Sequence, residues 1–374
     1  MNDPRVNRLA RLLVDYSVAV RPGDRVLIEA ATPAEPLVRA LFERILRAGG
    51  HPHLAISFGG LDTMTGLDAT FIQHASEKQL AHPPAFMELA YEEFEGRIRV
   101  HSSDNTNRLS NQAADKIRRR REALRPILEA QFERGRSDDF RWVTTLFPTH
   151  AYAQAAEMSL TEYESFVYSA CRVEGEQDPV AHWKSVQQEQ EKAIAAIDGG
   201  DRVELKGPNC DLELSVAGRT FKNACGRNNM PDGEIFTSPV EDSVNGWVKF
   251  TYPALYQGRT VLGAQLEFEA GKVVNATAER GEDFLRSILD TDEGSRYVGE
   301  FAIGTNRNID QFTGNILFDE KIGGSFHMAL GAGYPETGSQ NKSAIHWDLI
   351  CDLQSDSEIR VDGELFYKDG EFRY

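Results

Sequence analysis

Apolar residues recur at helical spacing from Val6 to Val20, and the turn Arg21-Pro22-Gly23-Asp24 follows. Arg25 to Ala30 then reads as a strand. Thr32-Pro33 fits an N-cap with proline in the first helical turn, opening a helix that runs to Gly49-Gly50. His51 to Ser57 is the next strand, Ala114 to Arg134 a charged helix with a break expected at Pro126, and Trp142 to Pro148 another strand. This alternation predicts an α/β domain with a mainly parallel sheet. A polar helix at about Val180 to Ile197, opened by Pro179 and closed by Gly199-Gly200, reads as the connection between domains. Beyond it the period changes to two. Short strands at Asp201–Lys206, Asp211–Val216, Trp247–Thr251, Val261–Glu269 and Lys272–Ala278 are punctuated by turns such as Ala217-Gly218 and Ala270-Gly271. The expected organisation is an N-terminal α/β domain over residues 1–185 and a β-rich, α+β, metal-binding domain over 186–374.

The period-two pattern also exposes candidate chemistry. In Ser343 to Cys351, Ile345, Trp347, Leu349 and Cys351 form one face, while His346 and Asp348 share the other. Ser325 to Leu330 repeats the device, with His327 opposite Phe326, Met328 and Leu330. Of nine histidines in the chain, only these two fall in the C-terminal third. One histidine behind an apolar face is commonly structural, but two, one with an aspartate at i+2, point to a metal site between strands. Imidazole with carboxylate suits zinc, manganese, cobalt or iron, and a thiolate set is missing.

Composition narrows the classes. A chain of 374 residues with 41% hydrophobic and 26% charged residues is ordinary for a soluble globular protein and long for one core. No apolar run reaches the ~18–20 residues of a membrane span. The polar start, Met1-Asn2-Asp3-Pro4-Arg5, argues against a secretion leader, so cytoplasmic location is expected. Cys171, Cys210, Cys225 and Cys351 lack Cys-x-x-Cys spacing and read as free thiols. A formal charge of −17 opposes nucleic-acid binding, and Lys116 to Arg121 reads as a solvated helix face. No glycine-rich phosphate motif follows any strand.

Several segments, in order and at consistent spacing, carry a resemblance: Asn228 to Thr237, Pro239 to Gly246, Gly299-Glu300, Leu317 to Lys321, His327 to Gly331 through Tyr334, and Asn341 to Asp348. Together they cover about half the chain, and in them it resembles the aminopeptidase T family of metallo-aminopeptidases. The resemblance implies a homodimer and two divalent metal ions (zinc, cobalt or manganese). It further implies that Glu234, Glu300, His327, Tyr334, His346 and Asp348 hold the metals, with Glu234, Glu300 and Tyr334 taking part in catalysis. The implied reaction is release of N-terminal residues from short peptides with a free N-terminus. Read without the resemblance, Glu234 is an exposed carboxylate of a Pro-Asp-Gly turn and Tyr334 a packed loop aromatic. Glu300 is then a carboxylate in an apolar strand that must be paired or coordinated. Asp319 and Glu320 read as supports for the ligands or as a surface pair. The competing reading takes His327, His346 and Asp348 alone as the ligand set of a mononuclear non-haem iron ring-cleaving dioxygenase. The presence of Glu234 and Glu300 favours two metals over one iron.

Overall fold

The computed structural model describes residues 3–175 and 177–373. Two compact units divide the chain. One comprises Met1–Trp183 with Gly226–Pro231, and the other Lys184–Cys225 with Asp232–Tyr374. The division falls inside the helix Pro179–Ala196.

In the first unit, helix Pro4–Leu12 opens at Asp3, whose side chain accepts from the Arg5 amide. The strands Arg25–Ala31, His51–Ser57, Gly96–His101 and Arg141–Leu146 form the predicted parallel sheet, completed by the short strand Asn229–Met230. His51–Ser57 is an edge, which is why its residues are largely exposed. Helix Ala114–Arg136 does not break at Pro126. A mid-helix proline costs ~3 kcal/mol, but Leu124 and Ile127 on either side are anchored in the core formed with Met87, Tyr91 and Phe140. Packing holds the helix where propensity alone would end it.

The described strands of the second unit pair antiparallel. Its larger sheet has eight strands, with Arg202–Gly207 and Cys210–Ser215 in the interior. The smaller sheet has the order His346–Asp352, Ser325–Gly331, Val298–Gly304, Glu234–Thr237, Lys222–Ala224. The expected single strand over Val261–Glu269 is two strands, Arg259–Val261 and Gln265–Glu269, with Gly263 between them at a φ of +60°. One face of the smaller sheet is apolar. Ile235, Phe301, Ile303, Phe326, Met328, Leu330, Trp347, Leu349 and Cys351 share a core with Val203, Leu205, Leu212 and Leu214 of the larger sheet. No described helix is long and apolar enough to cross a membrane.

Candidate metal centre

Alternation along each strand sends the remaining residues of the smaller sheet to the opposite face. Register places Ala302, His327 and Ile350 in one row, Glu300, Ala329 and Asp348 in the next, and Gly331 beside His346. Glu234 pairs with Gly304 on the other side of the Glu300 strand. Alanines and glycines between the ligand-type residues leave room above the sheet.

Glu300 reaches this face through an irregularity. Val298 pairs with Leu330 and Glu300 with Ala329, so Gly299 is an extra residue with no partner of its own. Without that bulge Glu300 would follow Val298 into the core. Only glycine fits, because a Cβ at Gly299 would lie 2.4 Å from the carbonyl oxygens of both Gly331 and Ala332.

The side chains converge. Glu300, His327 and Asp348 offer ligand atoms within 4.8 Å of one another. His346 Nε2 lies 3.3 Å from Glu300 Oε2 and 3.5 Å from Asp348 Oδ1. His327 Nε2 lies 3.6 Å from Glu234 Oε2 and 3.9 Å from Glu300 Oε1. His346 Nδ1 is 2.8 Å from the Ala332 carbonyl oxygen. Donation from Nδ1 fixes the ring and directs Nε2 at the carboxylates. The Tyr334 ring packs on His346, with centroids 5.3 Å apart, and on Phe236. All six residues singled out in the sequence therefore gather on one patch. Glu234 is the first residue of a strand and only 6% exposed, which removes its reading as a surface turn carboxylate.

Sequence reasoning assigned no role to Lys321. Its ammonium is fully buried, paired with Glu320 and 3.6 Å from Glu234 Oε1. No local pattern distinguishes this lysine from one on a surface turn. Asp319 is no ligand here, because its carboxylate accepts from the amide (2.7 Å) and hydroxyl (2.8 Å) of Thr313 and ties its own loop.

The electrostatics are those of a site short of positive charge. Burial raises Glu234 to about 8 despite Lys321. Burial works against ionisation of Glu300 and Asp348 too, but the two imidazoles outweigh it, lowering Glu300 and bringing Asp348 to about 2. In turn the carboxylates overcome burial and raise His327 to about 9 and His346 well above its usual value. Burial, then the surrounding carboxylates, hold the Tyr334 hydroxyl protonated. Glu234 Oε2, Asp348 Oδ1 and His327 Nδ1 are buried without a hydrogen-bond partner among the described residues. Orphaned carboxylate oxygens beside imidazole nitrogens are what a divalent cation satisfies, so the residues present fit such an ion.

Residues 2–372 match the thermophilic metalloprotease (M29) family. The chain is 28% identical to aminopeptidase T of Thermus thermophilus, over 98% of this chain and 95% of that one. It is 25% identical to aminopeptidase 2 of Geobacillus stearothermophilus, over 99% and 95%. To aminopeptidase AmpS of Bacillus subtilis it is 26% identical, over 98% and 93%. Its fold superposes on the structure of wild-type AmpT from Thermus thermophilus with a TM-score of 0.84 at 25% identity, covering 98% of both chains. The one-iron alternative gains no support, since the group of ligand atoms within 4.8 Å of one another holds one histidine and two carboxylates, Glu300, His327 and Asp348. With the match running almost end to end and the carboxylate–imidazole patch formed as a metallopeptidase needs it, the chain belongs to the thermophilic metalloprotease (M29) family.

Proposed function

We propose that this protein is a dinuclear metallo-aminopeptidase that removes residues one at a time from short peptides with a free N-terminus. The observation that carries the reading is the charge imbalance of the patch. Four buried or half-buried carboxylates (Glu234, Glu300, Glu320 and Asp348) face one ammonium and two imidazoles. With the imidazoles neutral, as metal ligands must be, the set carries a charge of −3, which one divalent ion would leave negative. Two divalent ions together with one ionised water would bring it to zero, held by Glu234, Glu300, His327, Tyr334, His346 and Asp348. Bound there, zinc, cobalt or manganese supplies a water ionised near neutral pH and a Lewis acid for the scissile carbonyl.

The chain's own groups supply the rest. Glu300 lies between both histidines, and it or Asp348 would be the carboxylate shared by two ions. Burial raises the proton affinity of Glu234, so its ionised Oε2 would take a proton from the attacking water and return it to the leaving amine. Lys321 restrains the other oxygen of that carboxylate. Tyr334 keeps its hydroxyl proton and can donate to the substrate carbonyl oxygen. His346 is the ligand-type side chain left 30% exposed, so substrate approaches from its side of the patch. The chain's formal charge of −17 favours approach of a protonated α-amino group, in keeping with specificity for a free N-terminus.

Homodimer assembly and cytoplasmic residence belong to the same proposal and rest on the likeness to aminopeptidase T. Sedimentation and fractionation test them. The reaction is tested by mass spectrometry of a digested pentapeptide, together with metal counting on purified protein. A ladder from the N-terminus and two divalent ions per chain are expected. Internal cuts, cleavage of the N-acetylated peptide, or one tightly held iron would overturn the reading.

A further inference from the structure

The first unit carries a second buried charged cluster. The chain runs from strand Arg25–Ala31 outward to His51–Ser57, then crosses back to Gly96–His101, so strand order reverses between the first and third of these. In open parallel sheets such a reversal opens a crevice at the carboxyl ends of the strands, where ligands bind. Glu29 and Arg99 face each other across it, paired in register and each close to its strand's carboxyl end. A cavity of about 250 Å³ lies here, with Glu29 and Arg99 among its lining and an apolar wall of Leu54, Ile56, Phe86 and Met87.

The cluster is short of negative charge. Arg99 Nε donates to Glu29 Oε2, and Arg97 Nη1 lies 3.7 Å from the same oxygen. The Tyr91 hydroxyl donates to Glu29 Oε1 at 3.0 Å and accepts from Arg97 at 3.2 Å and from Arg99 at 2.9 Å. One carboxylate thus serves two guanidiniums. Arg97 Nε is buried without a partner, and Arg99 Nη1 makes no hydrogen bond, among the described residues. The neighbouring carboxylates are engaged elsewhere: Asp62 and Asp68 pair with Arg108, and Asp68 also accepts from the amides of Asp62 and Thr63. His101, next on the same strand face, is pushed down to about 4 by burial and then by Arg99 and Arg97, as a positive local field requires. Excess buried cation is costly unless a counter-ion meets it, and it stands out in a chain of net charge −17.

We propose that this cavity binds a small monocarboxylate with an apolar tail, the carboxylate on Arg99 and the tail against Leu54, Ile56, Phe86 and Met87. Taking ~30 Å³ for each water-sized group, the space holds about eight non-hydrogen atoms, the size of hexanoate. The inference stands on the first unit alone and is independent of the peptidase reading.

The test is calorimetric titration of the full chain, chelated so that no cation elsewhere captures the carboxylate, with hexanoate and with its neutral counterpart hexanamide. Hexanoate should bind one site, and hexanamide about tenfold or more weaker, the loss of a charge-assisted hydrogen bond. Arg99→Gln should weaken hexanoate by a similar factor, and His346→Ala should leave it unchanged. Because Arg99→Gln also deprives Glu29 of a partner, Leu54→Glu provides a second variant. Leu54 is 50% exposed, so the fold tolerates the change while a like charge enters the cavity mouth, and the same loss is expected. Equal binding of acid and amide, retention of hexanoate by both variants, its loss in His346→Ala, or no heat at about 10 mM would overturn the proposal. So would sedimentation showing that Leu54→Glu splits a dimer without weakening hexanoate, which would make this face an interface between copies.

Discussion

The molecule buries two charged clusters, and they err in opposite directions. Above the antiparallel sheet, carboxylates outnumber their cationic partners, and acceptor oxygens of Glu234 and Asp348 are left bare. Beside the parallel sheet, guanidiniums outnumber the carboxylate, and a donor of Arg97 is left bare. Each surplus sits on a rigid sheet, so neither can relax by moving to water. The difference teaches what each sheet is built to receive: cations in one case, an organic anion in the other.

The comparison breaks first at the ligands. His346→Ala or Asp348→Ala should lower kcat/KM on an amino-acid anilide by on the order of 10³ or more, as for members of a set that acts as a unit. Circular dichroism should remain native, because the apolar face of that strand is untouched. If Glu234→Ala and Glu300→Ala both hydrolyse at the wild-type rate, the two-metal site is wrong.

Deleting one partner in each cluster sharpens the contrast. Lys321→Met adds to the carboxylate surplus, and Glu29→Gln adds to the guanidinium surplus. Each should cost about 3–5 kcal/mol in the chelated protein, the usual loss when a buried pair is broken. Thermal melts should then show divalent metal restoring the first variant but not the second, and a melt that metal restores equally in both would erase the distinction.

A smaller effect is expected at the bulge. Gly299→Ala places a methyl against two carbonyl oxygens. It should cost about 1–3 kcal/mol and lower metal occupancy by displacing Glu300, measured by urea unfolding and metal counting. Full occupancy in a destabilised variant would show that the bulge serves only packing.

The smallest effect is in protons. His327, raised to about 9, carries its proton at neutral pH in the metal-free protein, and a cation must displace it. Metal affinity should therefore rise with pH through about 9, and His346, also raised, must lose its proton too. Titration at neutral pH should release protons, read as a calorimetric heat that depends on buffer ionisation enthalpy; a buffer-independent heat would refute it. Because the raised value favours the protonated folded form, its contribution to metal-free stability is present below the unfolded value near 6.5. That contribution is lost as pH rises through about 9.

Period-two patterning was enough to read the apolar face around Trp347 and the placement of His346 and Asp348 behind it, because the strand His346–Asp352 is regular. Family likeness, not pattern, added Glu234 and Tyr334, whose neighbours in sequence are turn residues. Lys321 stayed hidden because burial of a lysine is decided by Glu234 and Glu320 in the folded chain. The strand Gly96–His101 went unread, since Arg97 and Arg99 make it look like a surface segment while both arginines in fact lie against Glu29. Local spacing reports which face a residue takes, but not what waits on that face.

Gly299 shows how thin that information can be. The strand runs in one phase up to Val298 and in the opposite phase from Glu300 onward, so a residue with no side chain acts like an inserted letter that shifts a reading frame. Were it paired as an ordinary ladder residue, the composition of the strand would be unchanged. Yet Glu300 would turn toward the core, while Phe301 and Ile303 would turn outward over the site. In this family member, the placement of Glu300 beside His327 and His346 depends on the parity set by a neighbouring residue that has no side chain to offer.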